Sequence, residues 1–183
     1  GNPAFWKVEN GCIVGETTVG NPTKGNTFLI WKGGELKDFE LTLKARVLGN
    51  NSGIQYRSKV VNAATWAVGG YQMDLIGNDA LFAMLYEERG RGILTRRGQR
   101  VVLRANQKPE VIGSFDTAKK LNVAEWNEYK VVAKGRILTH SVNGVVTAET
   151  IDDDVAKRSL AGVLAIQLHA GPPTRVEVKD IGL

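Results

Sequence analysis

The sequence has few of the residues that disulfide-linked, metal-binding or membrane-spanning proteins need. It contains one cysteine, Cys12, and two histidines, His140 and His169, among 183 residues. A single cysteine excludes an intrachain disulfide, and its place in an apolar run predicts a small buried side chain rather than a nucleophile. No apolar run approaches the roughly 18 residues of a transmembrane helix, so a membrane span is excluded.

Positive charge exceeds negative charge, with a formal net charge of +5, but the basic residues are dispersed along the chain. The densest arginine stretch runs from Glu87 to Arg104 and opens with two glutamates. We interpret it as a solvated, arginine-rich hairpin. A nucleic-acid surface would need lysines and aromatic residues interleaved on one face, so we expect no nucleic-acid partner.

Short runs of alternating apolar and polar residues dominate the chain. Between Asp38 and Leu48 the alternation has a period of two, which is typical of a strand with one buried face. Gly11 and the Asn143-Gly144 pair predict tight hairpin turns. We predict roughly eleven strands from this spacing, with a loop over residues 106–122 and at most a short helical turn over residues 151–160.

This pattern predicts the fold class. Strand after strand with no βαβ rhythm argues against a nucleotide-binding α/β fold. We predict an all-β, two-sheet antiparallel jelly-roll sandwich that forms one domain over residues 1–183.

Several strands combine an apolar face with a face rich in amide and charged groups. Alternate side chains of a strand point to opposite sides, so every second residue shares a face. Four such sets of residues share a face within their strand: Asn51, Gly53, Gln55 and Arg57; Gln72 and Asp74; Ala165, Gln167 and His169; and Arg136, Leu138 and His140. If these faces belong to one sheet, they form a bed of groups that can hydrogen-bond sugar hydroxyls. The alternative is an ordinary solvated sheet face.

Candidate catalytic groups are few. The two histidines could shuttle protons or, with Asp74, hold a divalent metal, although spacing across strands gives no support for a metal set. Glu87 and Glu88 point to opposite faces, so we pair Asp74 with Glu87 as the one conceivable carboxylate pair. Trp66 lies in a loop-like segment, where it either stacks on a sugar ring or covers the core.

In order along the chain, the sequence resembles the bacterial 3-keto-disaccharide hydrolase domain family of the concanavalin A-like lectin/glucanase superfamily. The matching stretches are FWKVENGCIVGE, KDFELTLKARV, NNSGIQYRS, GGYQMDLIG, LYEERGRG, EWNEYKVVAKG, RILTHSVNGV and GVLAIQLHAGPPTRVEVKDIGL. A first segment reading roughly LFNGKDLSGW in family members is missing here. The resemblance also implies a set of site residues, without assigning individual roles. By motif these are Asn51, Gln55, Arg57, Gln72, Asp74, His140, Gln167 and His169.

The resemblance implies a bacterial carbohydrate hydrolase or lyase that cleaves glycosidic bonds of 3-keto-glycosides. Under this hypothesis His169 or His140 is the base or a metal ligand, and Arg57, or a metal held with Asp74, stabilises an enolate. Substrate contacts are then expected from Asn51, Gln55, Gln72, Glu87, Gln167 and Trp66. The resemblance fixes no cofactor, and a divalent metal stays an alternative.

Two other functions remain open, because the same sandwich also serves non-catalytic proteins. One is a carbohydrate-binding module without catalysis, and the other is an interaction domain of a larger secreted protein. We expect a periplasmic or secreted protein whose signal peptide lies outside this sequence. The sequence leaves the sugar, the linkage and the oligomeric state open.

Overall fold

The computed structural model describes residues 1–117 and 120–183, and within them the chain forms strands joined by turns. More strands form than the spacing predicted, because several of them are only four or five residues long. The strands are β1 (Trp6–Glu9), β2 (Cys12–Glu16), β3 (Thr27–Ile30), β4 (Phe39–Gly49), β5 (Asn51–Asn62), β6 (Ala67–Ile76), β7 (Leu85–Glu88), β8 (Gly92–Thr95), β9 (Gln99–Leu103), β10 (Glu110–Ser114), β11 (Asn127–Lys134), β12 (Ile137–Val142), β13 (Val145–Asp152), β14 (Val163–Leu168) and β15 (Thr174–Gly182).

The strands form two sheets, which confirms the predicted jelly-roll sandwich. The nine-stranded sheet has the order β1-β2-β15-β4-β11-β12-β13-β9-β10, and the six-stranded sheet has the order β3-β14-β5-β6-β7-β8. Neighbours are antiparallel except β13 and β9, which run parallel. Both predicted hairpins form, since β1 pairs with β2 and β12 pairs with β13.

Two local predictions have different outcomes. The stretch over residues 106–122 was wrongly predicted as a loop, since it contains β10, which pairs with β9 at the sheet edge; residues 118 and 119 of this stretch lie outside the described residues. The short helical turn predicted within residues 151–160 is confirmed, because the backbone N–H groups of Lys157 and Arg158 both donate to the Asp154 carbonyl oxygen, at 3.0 and 2.8 Å. Over the described residues, no helix is long and apolar enough to cross a membrane.

The core lies between the two sheets and is built from one face of each strand. In β4 the side chains of Leu41, Leu43 and Val47 are buried, as the alternation predicted. Across the gap, Ile54 of β5 and Met73 of β6 belong to the same apolar cluster. Burying each such side chain contributes about 1.5–3 kcal/mol. The burial of these inward-facing side chains is therefore the main interaction that holds the two sheets together.

His140 lies inside this core, so the prediction that it shares a polar face with Gln55 was wrong. Its neighbours on the same face of β12, Leu138 and Val142, are buried core residues, and His140 itself is 1% exposed. The Tyr56 hydroxyl lies 2.8 Å from Nε2, and Nδ1 lies 3.2 Å from the Ala83 carbonyl oxygen. This pattern fits a neutral ring that carries its proton on Nδ1.

Burial lowers the pKa of His140 to about 4, although the backbone contacts with Ala83 and Met84 oppose the shift. In the unfolded chain a histidine binds a proton below about pH 6.5. Between about pH 6.5 and pH 4 the unfolded state therefore holds more protons at this position, and stability falls as the pH falls.

Replacing His140 with Gln should remove this part of the acid sensitivity. We expect the free energy of unfolding of the wild-type protein to drop by about 2–3 kcal/mol more than that of the variant between pH 7.5 and pH 4.5. Urea denaturation at the two pH values measures the difference. Parallel losses in the two proteins would contradict the neutral core histidine.

Candidate functional site

A row of side chains crosses the face of the six-stranded sheet that points away from the core. Ile30 of β3 lies opposite Ala165 of β14, which lies opposite Gln55 of β5. Gln55 lies opposite Gln72 of β6, and Gln72 lies opposite Tyr86 of β7. Because directly opposite residues share a face, two of the predicted amide side chains stand side by side here.

Three further polar side chains belong to the same face, because residues two apart in a strand share a side. Asp74 follows Gln72 in β6, Glu88 follows Tyr86 in β7, and Gln167 follows Ala165 in β14. Gln167 donates from Nε2 to Oε2 of Glu88 over 3.5 Å. We call the following set the amide–carboxylate face: Gln55, Gln72, Asp74, Glu88 and Gln167.

Gly53 makes room for the contact at the centre of this face. It lies opposite Asp74, and a Cβ atom added to it would be 2.4 Å from Cδ of Gln72. The Gln72 side chain therefore crosses the space above the glycine. From there its Nε2 donates to Oδ1 of Asp74 at 2.5 Å. Any side chain at position 53 would displace this amide from Asp74.

The amides of this face are buried, yet their oxygens lack donors. Within the described part of the chain, Oε1 of Gln55, Gln72 and Gln167 has no hydrogen-bond partner, and neither has Oδ1 of Asn51 at the start of β5. The three glutamines are at most 2% exposed. A buried oxygen without a donor costs about 1–3 kcal/mol. Such groups are expected where a ligand or water supplies the missing hydrogen bond.

Asp74 has an unusual acidity. Burial raises its pKa to about 7, the hydrogen bond from Gln72 opposes the rise, and the negative charge of Glu88 adds to it. Burial also raises the pKa of Tyr86, and the charges of Glu88 and Asp74 contribute. A carboxyl group that changes protonation near neutral pH is suited to act as a base or an acid.

His169 lies at one end of this face, just after β14. Its Nδ1 is 3.0 Å from Nδ2 of Asn50, and the ring is partly exposed. The next residue, Ala170, donates its backbone N–H to Oδ1 of Asn26, whose Nδ2 donates to Oε1 of Glu88 at 3.2 Å. Asn26, which the sequence analysis missed, therefore links the His169 end of the face to Glu88.

Trp66 lies at the border of the same face. It packs against a small apolar cluster that contains Phe28 and Ala165. It also lines a cleft of about 490 Å³ together with Asn26 and Arg89. This position fits both earlier interpretations, since one part of the ring covers apolar side chains and another part borders an open cleft.

Arg57 does not lie on the amide–carboxylate face, contrary to the prediction from strand parity. The pairing of β5 with β6 shifts between Tyr56 and Lys59, and Arg57 has a φ of 44°. This bulge breaks the alternation. The guanidinium donates to the carbonyl oxygens of Lys37 and Gly135 at 2.7 and 2.6 Å. Arg57 therefore connects the two sheets and is not available to stabilise an enolate.

Glu87 also lies elsewhere, so the predicted pairing of Asp74 with Glu87 was wrong. Glu87 pairs with Tyr71, a core residue, and therefore shares the inward side of its strand. Its carboxylate is 2.6 Å from Nε of Arg91, which also contacts Asp152 at 2.6 Å. The carboxylate that joins Asp74 is the adjacent one, Glu88. Sequence could place the two glutamates on opposite faces but could not tell which face was which.

The metal set proposed from sequence is not assembled. His140 lies in the core, whereas Asp74 lies on the opposite side of the six-stranded sheet. Over residues 1–117 and 120–183, no group of three or more His, Cys, Asp and Glu side chains is arranged to hold a metal ion.

The raised pKa of Asp74 predicts a distinctive stability profile. Since its folded pKa of about 7 exceeds its ordinary value of 3.8, the folded state binds the extra proton between these values. Its contribution to stability is full below about pH 4 and is lost as the pH rises through 7. Replacing Asp74 with Asn, which keeps an oxygen for the Gln72 amide, should stabilise the protein by about 2–4 kcal/mol at pH 8 and by little at pH 4. Denaturant titrations at both pH values test this, and a less stable variant at pH 8 would contradict it.

Solved structures with the same architecture include two candidate glycosyl hydrolases from Parabacteroides distasonis. One has a TM-score of 0.65 and 15% identity, and covers 99% of this chain and 90% of that chain. The other has a TM-score of 0.60 and 20% identity, with coverages of 96% and 81%. The carbohydrate-binding module CBM66 from Bacillus subtilis has a TM-score of 0.60 and 14% identity, with coverages of 96% and 88%. Identities this low show a shared fold.

The sequence itself gives the family. The comparison with curated proteins yields no significant match. The model of the 3-keto-alpha-glucoside-1,2-lyase-like domain, in contrast, matches residues 1–183. The match agrees with the resemblance that the motifs indicated. The chain therefore belongs to the family of 3-keto-alpha-glucoside-1,2-lyase-like domains.

Proposed function

We propose that this protein cleaves the glycosidic bond of 3-keto-glycosides, with Asp74 as the base. The observation that carries the proposal is the pair of carboxyl groups, Asp74 and Glu88, on one sheet face, where the pKa of Asp74 is raised to about 7. Membership in a carbohydrate-cleaving family supports the substrate class. The 3-keto group itself is part of the proposal.

The reaction needs a base because a carbonyl at C3 makes the proton on C2 acidic. Removal of this proton gives an enolate across C2, C3 and the C3 oxygen. When the C3 carbonyl reforms, a double bond forms between C1 and C2, and the glycosidic oxygen leaves C1 with its electron pair. That oxygen takes up a proton from an acid. Addition of water across C1 and C2 then completes a net hydrolysis.

Asp74 fits the role of base better than His140 does. Near neutral pH a substantial fraction of Asp74 is ionised, and its conjugate acid is still strong enough to return the proton. Both ring nitrogens of His140 are engaged in the core. Gln72 donates to one oxygen of Asp74, which leaves the second oxygen for the substrate proton.

The groups around Asp74 supply the remaining functions. Each side-chain amide has two N–H donors. Gln55 donates from Nε2 to the Gly70 carbonyl oxygen, and Gln167 donates from Nε2 to Glu88. The remaining donors can stabilise the enolate oxygen. Burial raises the pKa of Tyr86 above its ordinary value. Tyr86 therefore keeps its proton at neutral pH, and this proton is available for the leaving oxygen.

Non-catalytic carbohydrate binding is the second candidate. The amide oxygens without donors favour it, because they would accept hydrogen bonds from sugar hydroxyls whether or not a bond is cleaved. The two candidates differ in the role of Asp74. A binding module needs no group that titrates near pH 7, whereas the elimination requires one.

The test compares Asp74→Asn with the wild-type protein on a panel of 3-keto-disaccharides. We expect cleavage to fall by about 10²–10⁴-fold, since general-base catalysis typically contributes that much. The wild-type rate should rise with pH through an apparent pKa near 7, because the base must be ionised. Product formation is followed by chromatography, with Glu35→Gln, an exposed carboxylate outside the face, as the matched control.

Three outcomes would change the assignment. A wild-type rate in Asp74→Asn together with a large loss in His169→Gln would transfer the role of base to His169. Sugar binding by the wild-type protein without any product would support the binding module. Neither binding nor product would count against carbohydrate as the ligand.

A further inference from the structure

A second cleft, of about 300 Å³, opens beside Glu88. The β5–β6 pair, the turn after β7 and the segment after β13 each contribute to its wall. The residues that matter for its chemistry are Lys59, Glu88, Arg89, Lys157, Arg158 and the glycine pair Gly69-Gly70. Glu88 also belongs to the amide–carboxylate face, so the cleft and the face are continuous.

The cleft carries positive charge that the protein itself does not neutralise. Across residues 1–117 and 120–183, neither Arg89 nor Arg158 forms an ion pair, and the same holds for the two lysines, Lys59 and Lys157. The other charged groups of the wall are already paired, Glu87 with Arg91 and Arg57 with Asp38. Four cations thus face a single carboxylate, Glu88, that has no cationic partner.

Backbone rather than bulky side chains forms part of the wall. Gly69, Gly70 and Gly90 all line the cleft. At Gly90 a Cβ atom would be 2.6 Å from the Glu87 side chain, so the glycine keeps that part of the wall low. A small ligand could therefore come close to the backbone as well as to the cations. A volume of about 300 Å³ lies at the lower end of ligand pockets and suits one sugar unit.

We propose that this cleft binds an anionic substituent on the carbohydrate whose neighbouring unit occupies the amide–carboxylate face. The substituent is a carboxylate of a uronic acid or a sulfate ester, since both present several acceptor oxygens to lysine and arginine. The inference rests on the proposed carbohydrate function. It adds the substrate class, an acidic sugar, because a neutral sugar would leave the four cations of the wall with one unpaired carboxylate, Glu88, to balance them.

The test measures binding of three disaccharides that differ in charge: cellobiose, cellobiouronic acid and cellobiose 6-sulfate. The double variant Lys157→Ala/Arg158→Ala removes two cations from the cleft. The matched control, Lys108→Ala/Lys134→Ala, removes two exposed lysines elsewhere, so its net charge equals that of the cleft variant. Titration calorimetry gives the affinities, and thermal unfolding confirms that both variants fold.

We expect the wild-type protein to bind at least one charged disaccharide about tenfold more tightly than cellobiose, because several ion pairs act together. The cleft variant should lose most of this preference, and the control should keep it. Raising the ionic strength should weaken the preference, since partly exposed ion pairs are screened. Whichever charged disaccharide binds more tightly identifies the substituent as a carboxylate or a sulfate.

Two results would overturn the inference: equal affinity for charged and neutral disaccharides, or equal loss of the preference in the cleft variant and the control. Its failure is separable from failure of the proposed function. Cleavage of a neutral 3-keto-disaccharide without preference for charge would reject the proposed anion binding by the cleft and retain the proposed activity. Preference for charge without cleavage of any keto-sugar would retain the cleft and reject the activity.

Discussion

Strand β5 is buried on both of its faces. The candidate site forms because the buried side chains of each face need packing or hydrogen-bond partners. Residues 52–58 are all buried, with Ile54 and Tyr56 pointing into the core. On the other side the strand presents Gly53 and Gln55. On the inward face, packing in the core stabilises the apolar side chains. On the outward face, a buried amide needs hydrogen bonds. The outward side of β5 therefore draws in polar groups from its neighbours, and Gln72 and Asp74 of β6 are the nearest of them.

Two buried titratable groups show how structural and functional polar residues differ. His140 is neutral, and both of its ring nitrogens have partners within the protein, Tyr56 and Ala83. Its low pKa is a consequence of burial in a satisfied core. Asp74 lies on a face whose buried amide oxygens have no donors among the described residues, and burial raises its pKa to about 7. A completed hydrogen-bond network stabilises the fold, whereas an incomplete one is what a ligand can complete.

Sequence could predict those features that depend on alternation alone. The inward face of β4 and the shared face of Gln72 and Asp74 follow from a period of two. Arg57 was misplaced because a bulge inserts an extra residue, and no side-chain pattern marks that shift. His140 was misplaced because alternation separates two faces without telling which one meets the opposite sheet. The choice between Glu87 and Glu88 failed for the same reason, since it depends on the pairing of β7 with β6.

The outer faces of the two sheets differ in how fully their polar and charged groups are paired. On the nine-stranded sheet several charges are paired: Arg46 contacts Glu177, and Arg175 contacts both Glu177 and Glu9. These ion pairs leave fewer charged groups on that face for a ligand. The six-stranded sheet is the opposite, with amide oxygens that lack donors and an adjoining cleft whose cations lack anions. Glu88 belongs both to the face with the unpaired amide oxygens and to the cleft with the unpaired cations. A sugar that carries hydroxyls and a negative charge would supply partners for both sets of groups.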